Sequence, residues 1–368
     1  MKNSYKYSAL VFLFLSCKEA IKKENYQATS GATKIVNLTI YPQERHFTNV
    51  KQLTFGGDNA EAYWNSKGDA LVFQATNKAW GVTCDQIYTL FLSDDLSHGK
   101  IPQLISNSQG RTTCSYFMPG DSVIVYASTY KADANCPPVP KKEDYDNKYI
   151  WPVYAGFDIY LADKKGNQLK QLTATAGYDA EATVSPKGDK MVFTSMRSGD
   201  LELYTMNIDG TNVKQVTNEL GYDGGAFFSP DGTKLIFRAS RPKTPEAIKI
   251  YKDLLTKGVV MPTNMELFTC NVDGTNLKQI TQLGSANWAP FFHPSGKKII
   301  FSSNHKTKQS FNLFMINVDG TGLEQITYDN VFDAFPMFSP NGKKIVFSSN
   351  RNNNGTHDTN LFVADWVD

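Results

Sequence analysis

A short turn signal, Ser-Pro-x-Gly or a close variant, recurs along this chain, and each copy leads into a β-branched run. Aligned on the turn glycine, the copies fall at Gly68, Gly120, Gly188, Gly232, Gly296 and Gly342, within NSKGDALVFQATN, MPGDSVIVYASTY, SPKGDKMVFTSMR, SPDGTKLIFRASR, HPSGKKIIFSSNH and SPNGKKIVFSSNR. Proline presets φ at the first central turn position and glycine accepts the exit conformation, so each copy joins two strands tightly. A third run follows (LELYTMN, MELFTCN, FNLFMIN or NLFVADW), and Asp209-Gly210, Asp273-Gly274 and Asp319-Gly320 then turn the chain into a Gln-apolar-Thr element preceded by Lys or Glu. The copies are separated by 52, 68, 44, 64 and 46 residues, so the basic unit is one of four short antiparallel strands, the size of a propeller blade. The sequence predicts an all-β fold: a six-bladed β-propeller of four-stranded antiparallel blades.

The outer-strand element occurs six times, at Gln52, Gln103, Gln171, Gln215, Gln279 and Gln325, but the first copy precedes blade one and the last blade ends without one. Lys51 to Thr54 is therefore expected to supply the outer strand of blade six, closing the ring with both ends of the chain and removing an exposed edge. At 41% hydrophobic and 20% charged, the 368 residues can bury a large core. A formal charge of +2 provides no basic footprint for nucleic acid, which is set aside as a partner.

Residues 1–17 combine Lys2 and Lys6, an apolar run from Ala9 to Leu15, and Ser16-Cys17. The run is too short to span a bilayer as a helix and reads as an export signal. Its FLSC ending resembles a bacterial lipoprotein signal, which implies cleavage before a lipidated Cys17, a membrane-anchored protein on the periplasmic or cell-surface side, and a flexible tether over 18–33. The propeller is assigned to 34–368, as a monomer. Export permits disulfides among Cys84, Cys114, Cys136 and Cys270. A Cys84–Cys114 bridge is expected, with Cys114–Cys136 as the alternative and Cys270 in a core slot that other blades fill with Met206 or Met315.

The repeats resemble the WD40-like (PD40) repeat of the TolB-type six-bladed propeller, with its SPDG and NxDGTxxQLT signatures, from about Lys51 to the C-terminus. Those motifs specify the fold rather than the function, and the function expected of the chain is that of a binding or scaffold module. Similar propellers precede the catalytic domain of prolyl-oligopeptidase-like enzymes, but this chain has no Gly-x-Ser-x-Gly elbow.

Strand alternation puts the Ser-Pro-x-Gly and Asp-Gly turns on one face and the inter-blade loops on the other. The second face also carries two insertions, 131–156 in blade two and 242–264 in blade four, the latter with a short helix capped by Thr244 and opened by Pro245. Near the channel end of each innermost strand stand Asn59, Thr112, Asp179, Asp223, Asn287 and Asp333, with Glu61 and Glu181 two positions on. Two readings are open: a carboxylate ring that takes a cation or a basic partner, or short side chains that cap the inter-blade turns and pair with Arg197, Arg241, His305 and Arg351. The candidate site for a protein partner or small ligand is Glu61, Asp179, Glu181, Asp223 and Asp333, flanked by Trp80, Trp151 and Trp288. No cofactor is predicted, although the carboxylates are compatible with a divalent cation in the channel. The alternative function is a metal-assisted lyase or hydrolase acting on a glycan or peptide on the same face, with His305 as a weak metal candidate. No spaced histidine motif or nucleophile-base pair supports it.

Overall fold

The computed structural model describes residues 41–353 and 355–368. Six four-stranded antiparallel sheets form the ring. Their innermost strands are Asp58–Trp64, Thr112–Phe117, Asp179–Val184, Asp223–Phe228, Asn287–Phe292 and Asp333–Phe338. The export signal, Cys17 and the tether lie outside the described residues.

Each Ser-Pro-x-Gly turn closes as its chemistry requires. In blade three the Gly188 N–H donates to the Ser185 carbonyl at 2.8 Å, and Gly188 sits at φ +69°. At the outer turn the Asn207 carbonyl accepts from Gly210 N–H at 2.9 Å, with Gly210 at φ +87°, while Asp209 Oδ1 accepts from the Thr211 N–H and hydroxyl. The Asp-Gly pair therefore occupies the end of a longer hairpin loop whose last residue is left-handed, rather than both centres of a two-residue turn.

The core of every blade is an aromatic pair across its second and third strands. Phe73 faces Tyr88, Tyr126 faces Tyr160, Phe193 faces Tyr204, Phe237 faces Phe268, Phe301 faces Phe314 and Phe347 faces Phe362, with ring centroids 5.8–6.1 Å apart. Such pairs combine large apolar burial with offset ring contact.

The N-terminal strand Phe47–Gln52 pairs antiparallel with Asn360–Trp366, so the last blade does borrow its outer strand from the start of the domain. The strand begins four residues earlier than the repeat signature, because Phe47 stacks on Phe347 and meets the edge of Trp366. Closure is reinforced just upstream, where Glu44 accepts two bonds from the Arg351 guanidinium at 2.9 and 3.0 Å.

The insertions meet each other over one face. Trp151–Pro152 of blade two pairs with Val259–Val260 of blade four as a two-stranded sheet, and Val153 N–H donates to the Gly258 carbonyl at 2.7 Å. The helix Pro245–Thr256 precedes this strand. Thr244 Oγ1 accepts from Ala247 N–H at 3.1 Å, and Tyr251 and Leu254 are buried beneath it.

Candidate functional site

Each innermost strand carries a bulge near its middle, and at each bulge one residue is left-handed: Glu61 (φ 54°), Cys114 (40°), Glu181 (60°), Gly225 (59°), Ala289 (47°) and Phe335 (56°). Non-glycine residues rarely take this conformation. Here it recurs with the fold, so the bulge is the device that re-aims one residue per blade at the channel. The side chain at each site is free to vary, and in blades one to three it supplies a carboxyl, a thiol and a carboxyl in sequence.

Glu181 is saturated. Its Oε1 accepts from the Tyr222 hydroxyl at 2.7 Å and from Arg238, and its Oε2 accepts from the Thr194 hydroxyl at 2.7 Å and Gly225 N–H at 2.8 Å. Burial pushes this carboxyl up, but the Arg238 guanidinium and the hydrogen bonds outweigh it and hold Glu181 below the ordinary carboxylate value. Arg238 is 7% exposed and lies 5.1–5.3 Å from the ring centroids of Tyr222 and Trp151. Glu61 is less fully engaged: Tyr63 donates to it at 3.0 Å and Cys114 adjoins it. It is half-buried yet deep in the ring, and burial raises its carboxyl. Burial also raises the Cys114 thiol, and the Glu61 and Glu181 charges raise it further, which disfavours the thiolate.

The three aspartates of the predicted site are buried ion-pair partners. Asp179 accepts two bonds from Arg197 at 2.9 and 3.0 Å, Asp223 pairs with Arg241, and Asp333 accepts from Arg351 at 3.0 Å. The amides and hydroxyl at the equivalent positions cap the inter-blade turns: Asn59 donates to the Gly56 and Thr359 carbonyls, Thr112 to that of Asp85, and Asn287 to that of Met265. Arg351 gathers Glu44, Asp329 and Asp333 around one guanidinium. Burial and the Asp333 charge push Asp329 up to about 8.

Trp151 and Trp288 are brought together, with centroids 4.8 Å apart, in an aromatic cluster that includes Tyr149 and Phe311. Trp288 is 4% exposed and its indole N–H donates to the Pro262 carbonyl at 2.8 Å, so it anchors the blade-four insertion. Trp80 lies apart, packed edge-on against Tyr88 of blade one. His305 meets the edge of Phe314, and its Nδ1 is buried without a partner among the described residues. Among those residues no group of three or more His, Cys, Asp or Glu side chains is placed to hold a metal ion.

The disulfide expectation is corrected. The bridge joins Cys84 to Cys136, while Cys114 and Cys270 are free and buried. The bulge turns Cys114 inward to the channel, whereas Cys84 and Cys136 both sit in loops of the insertion face. The bridge thus ties the blade-two insertion to blade one.

The channel divides into two compartments. On the insertion face, beneath the paired insertions, lies a cavity of about 280 Å³ that includes Asp85, Arg111, Trp151, Tyr178, Glu181 and Tyr222 in its lining. On the turn face the channel opens as a funnel of about 510 Å³ to which all six blades contribute. Its rim carries Pro119, Pro186, Pro230, Pro294 and Pro340, with Ser66 in the corresponding place of blade one. Tyr63, Tyr116, Phe227 and Phe291 line it more deeply and touch one another in series, with centroids 5.3–5.8 Å apart. The Tyr63 ring belongs to the funnel while its hydroxyl donates to Glu61 behind it, so the aromatic layer separates the apolar compartment from the polar one.

Sequence reasoning passed over Arg238 and the funnel. Arg238 stands where other blades carry Gln74, Ala127, Thr194, Ser302 and Ser348 in the same register, so a lone cation in a column of uncharged side chains was the available signal. The prolines were accounted for by turn formation, which conceals that they also converge on one rim.

These features define a six-bladed propeller with a closed insertion face and an open turn face. Residues 154–258 match the model of the PD40 family, the TolB beta propeller domain. Among solved structures, a putative TolB from Agrobacterium tumefaciens aligns with a TM-score of 0.55 at 18% identity, covering 85% of this chain and 91% of that one. TolB from Acinetobacter baumannii aligns with a TM-score of 0.50 at 20% identity over 84% of this chain, which spans 64% of that protein's length. An oligogalacturonate lyase from Vibrio parahaemolyticus aligns with a TM-score of 0.52 at 13% identity, covering 85% and 79%. No curated protein matches the sequence. The fold is that of a TolB-like propeller.

Proposed function

We propose that this protein is a recognition module, exported and held to a membrane through a lipidated Cys17, that takes an apolar projection of a protein partner into the turn-face funnel. One observation carries the reading: all six blades converge on a concave aromatic surface rimmed by five prolines, while the opposite mouth is covered by the protein's own insertions. Concave apolar surface with few polar groups is the usual form of a binding site, and prolines present apolar area with little conformational freedom to lose. The carboxylates first read as the contact surface are engaged internally, which moves the proposed contact to the other face. TolB-like folds are shared by two of the solved structures above, and the reading of a protein partner agrees with that class.

The test places charge on the rim. A Pro230→Arg, Pro340→Arg double variant should keep its melting temperature within a few degrees, since both side chains are exposed, and should lose its envelope partner in crosslinking. Undiminished crosslinking by a folded variant would exclude the funnel. Cys17→Ser should release the protein from the membrane fraction, and retention there would exclude the anchor.

A further inference from the structure

The cavity beneath the insertions is built differently from the funnel. Every charge in its wall is already paired: Asp85 with Arg111 in the wall itself, and Glu181 with the buried Arg238 outside the lining. An ion entering here would lose its hydration without gaining a free counter-charge. Hydrogen-bonding capacity nevertheless remains. Tyr178 lines the cavity and is 7% exposed, and its hydroxyl has no hydrogen-bond partner among the described residues. Gln74 spends its amide oxygen on Cys114 N–H at 3.0 Å and the Thr113 hydroxyl at 3.1 Å, which leaves its amide N–H groups unused among those residues. Arg111 Nε is buried and unpartnered. A buried donor is ordinarily satisfied, so the orphaned Arg111 Nε, with the unused Tyr178 and Gln74 donors on the same cavity, points to an absent acceptor. The remaining walls are aromatic, from Trp151, Tyr154 and Tyr222.

We infer that this cavity is a binding site for one small uncharged ring with hydroxyl groups at its edge, of the neutral monosaccharide class. Such a ring offers apolar C–H faces to the tyrosine and tryptophan rings, and its edge oxygens accept from Tyr178, Gln74 and Arg111. The volume of about 280 Å³ lies just below the usual range of ligand pockets, roughly 300–1,000 Å³, and limits the occupant to about one ring. The insertion that supplies Trp151 and Tyr154 is fastened by Cys84–Cys136, so the wall is covalently held in place. This site is separate from the funnel and does not depend on it.

The experiment is saturation-transfer NMR on the folded, disulfide-intact protein with glucose, galactose, mannose and N-acetylglucosamine as probes, with glucuronate as the charged comparison. At least one neutral sugar should bind, more tightly than glucuronate. Tyr178→Phe removes only the unpartnered hydroxyl and should weaken that binding by roughly 3- to 10-fold with the melting temperature unchanged. Absence of binding by all four sugars, preference for glucuronate, or equal affinity in folded Tyr178→Phe would each overturn the assignment. Trp151→Ala, which removes one aromatic wall, provides a second variant, and unaltered binding there would also overturn it.

Discussion

Arg238 occupies the space that a side chain at position 225 would need: a Cβ built on Gly225 would lie 1.7 Å from the Arg238 guanidinium. Position 225 is the blade-four member of the channel ring and has φ +59°. Its sister positions carry Glu, Cys, Glu, Ala and Phe, so the glycine is required by its neighbour as much as by its backbone. The absent side chain lets Arg238 reach Glu181 of the preceding blade, and Gly225 N–H completes the same carboxylate.

Gly225→Ala is accordingly expected to destabilise the fold by about 2–4 kcal/mol, from left-handed backbone strain together with displacement of a buried guanidinium. Urea unfolding followed by intrinsic fluorescence measures this. A loss below about 0.5 kcal/mol, the range of ordinary surface changes, would show that Arg238 relocates freely.

The Cys84–Cys136 bridge closes a separation of 52 residues. In the chain-entropy description such a loop is worth about 4 kcal/mol. Cys84→Ser should lower the melting temperature by several degrees, and the folded domain should yield two thiols on denaturation without reductant, from Cys114 and Cys270. Four thiols without reductant would contradict the bridge.

Stability should fall as pH rises through the neutral range. Burial pushes Asp329 and Glu202 up to about 8. In the unfolded chain both titrate near pH 4. Between about pH 4 and 8 the folded state therefore binds more protons than the unfolded state, and the gain from these groups is lost as pH approaches 8. The double variant Asp329→Asn, Glu202→Gln should melt with a smaller difference between pH 5 and pH 8 than the parent protein. An unchanged difference would place the pH dependence elsewhere.

The propeller was legible because its determinants are local and repeated. Turn prolines and glycines, alternating strands and the surplus outer-strand element at Gln52 predict blade count and ring closure without long-range information. The site was less legible because its determinants are relations between blades. Asp179, Asp223 and Asp333 read equally as ligands or as ion-pair partners until Arg197, Arg241 and Arg351 are placed against them. Glu181 stood out as an unusual carboxyl, but its saturation depends on Tyr222, Gly225 and Arg238 in the adjoining blade. Cys114 belongs to the channel because a bulge rotates it inward, and alternation alone does not reveal that. The turn prolines had a sufficient local explanation, so their convergence on a rim required the ring to be assembled.

The most direct test of the central claim compares the two faces in one experiment. A photo-crosslinking residue at Pro186 on the turn-face rim, and another at Asp144 on the exposed blade-two insertion, are each introduced into the full chain expressed in its native cells. The account predicts a discrete crosslinked protein from position 186 and none from position 144. A crosslinked partner from position 144 with none from position 186 would contradict it and return recognition to the insertion face.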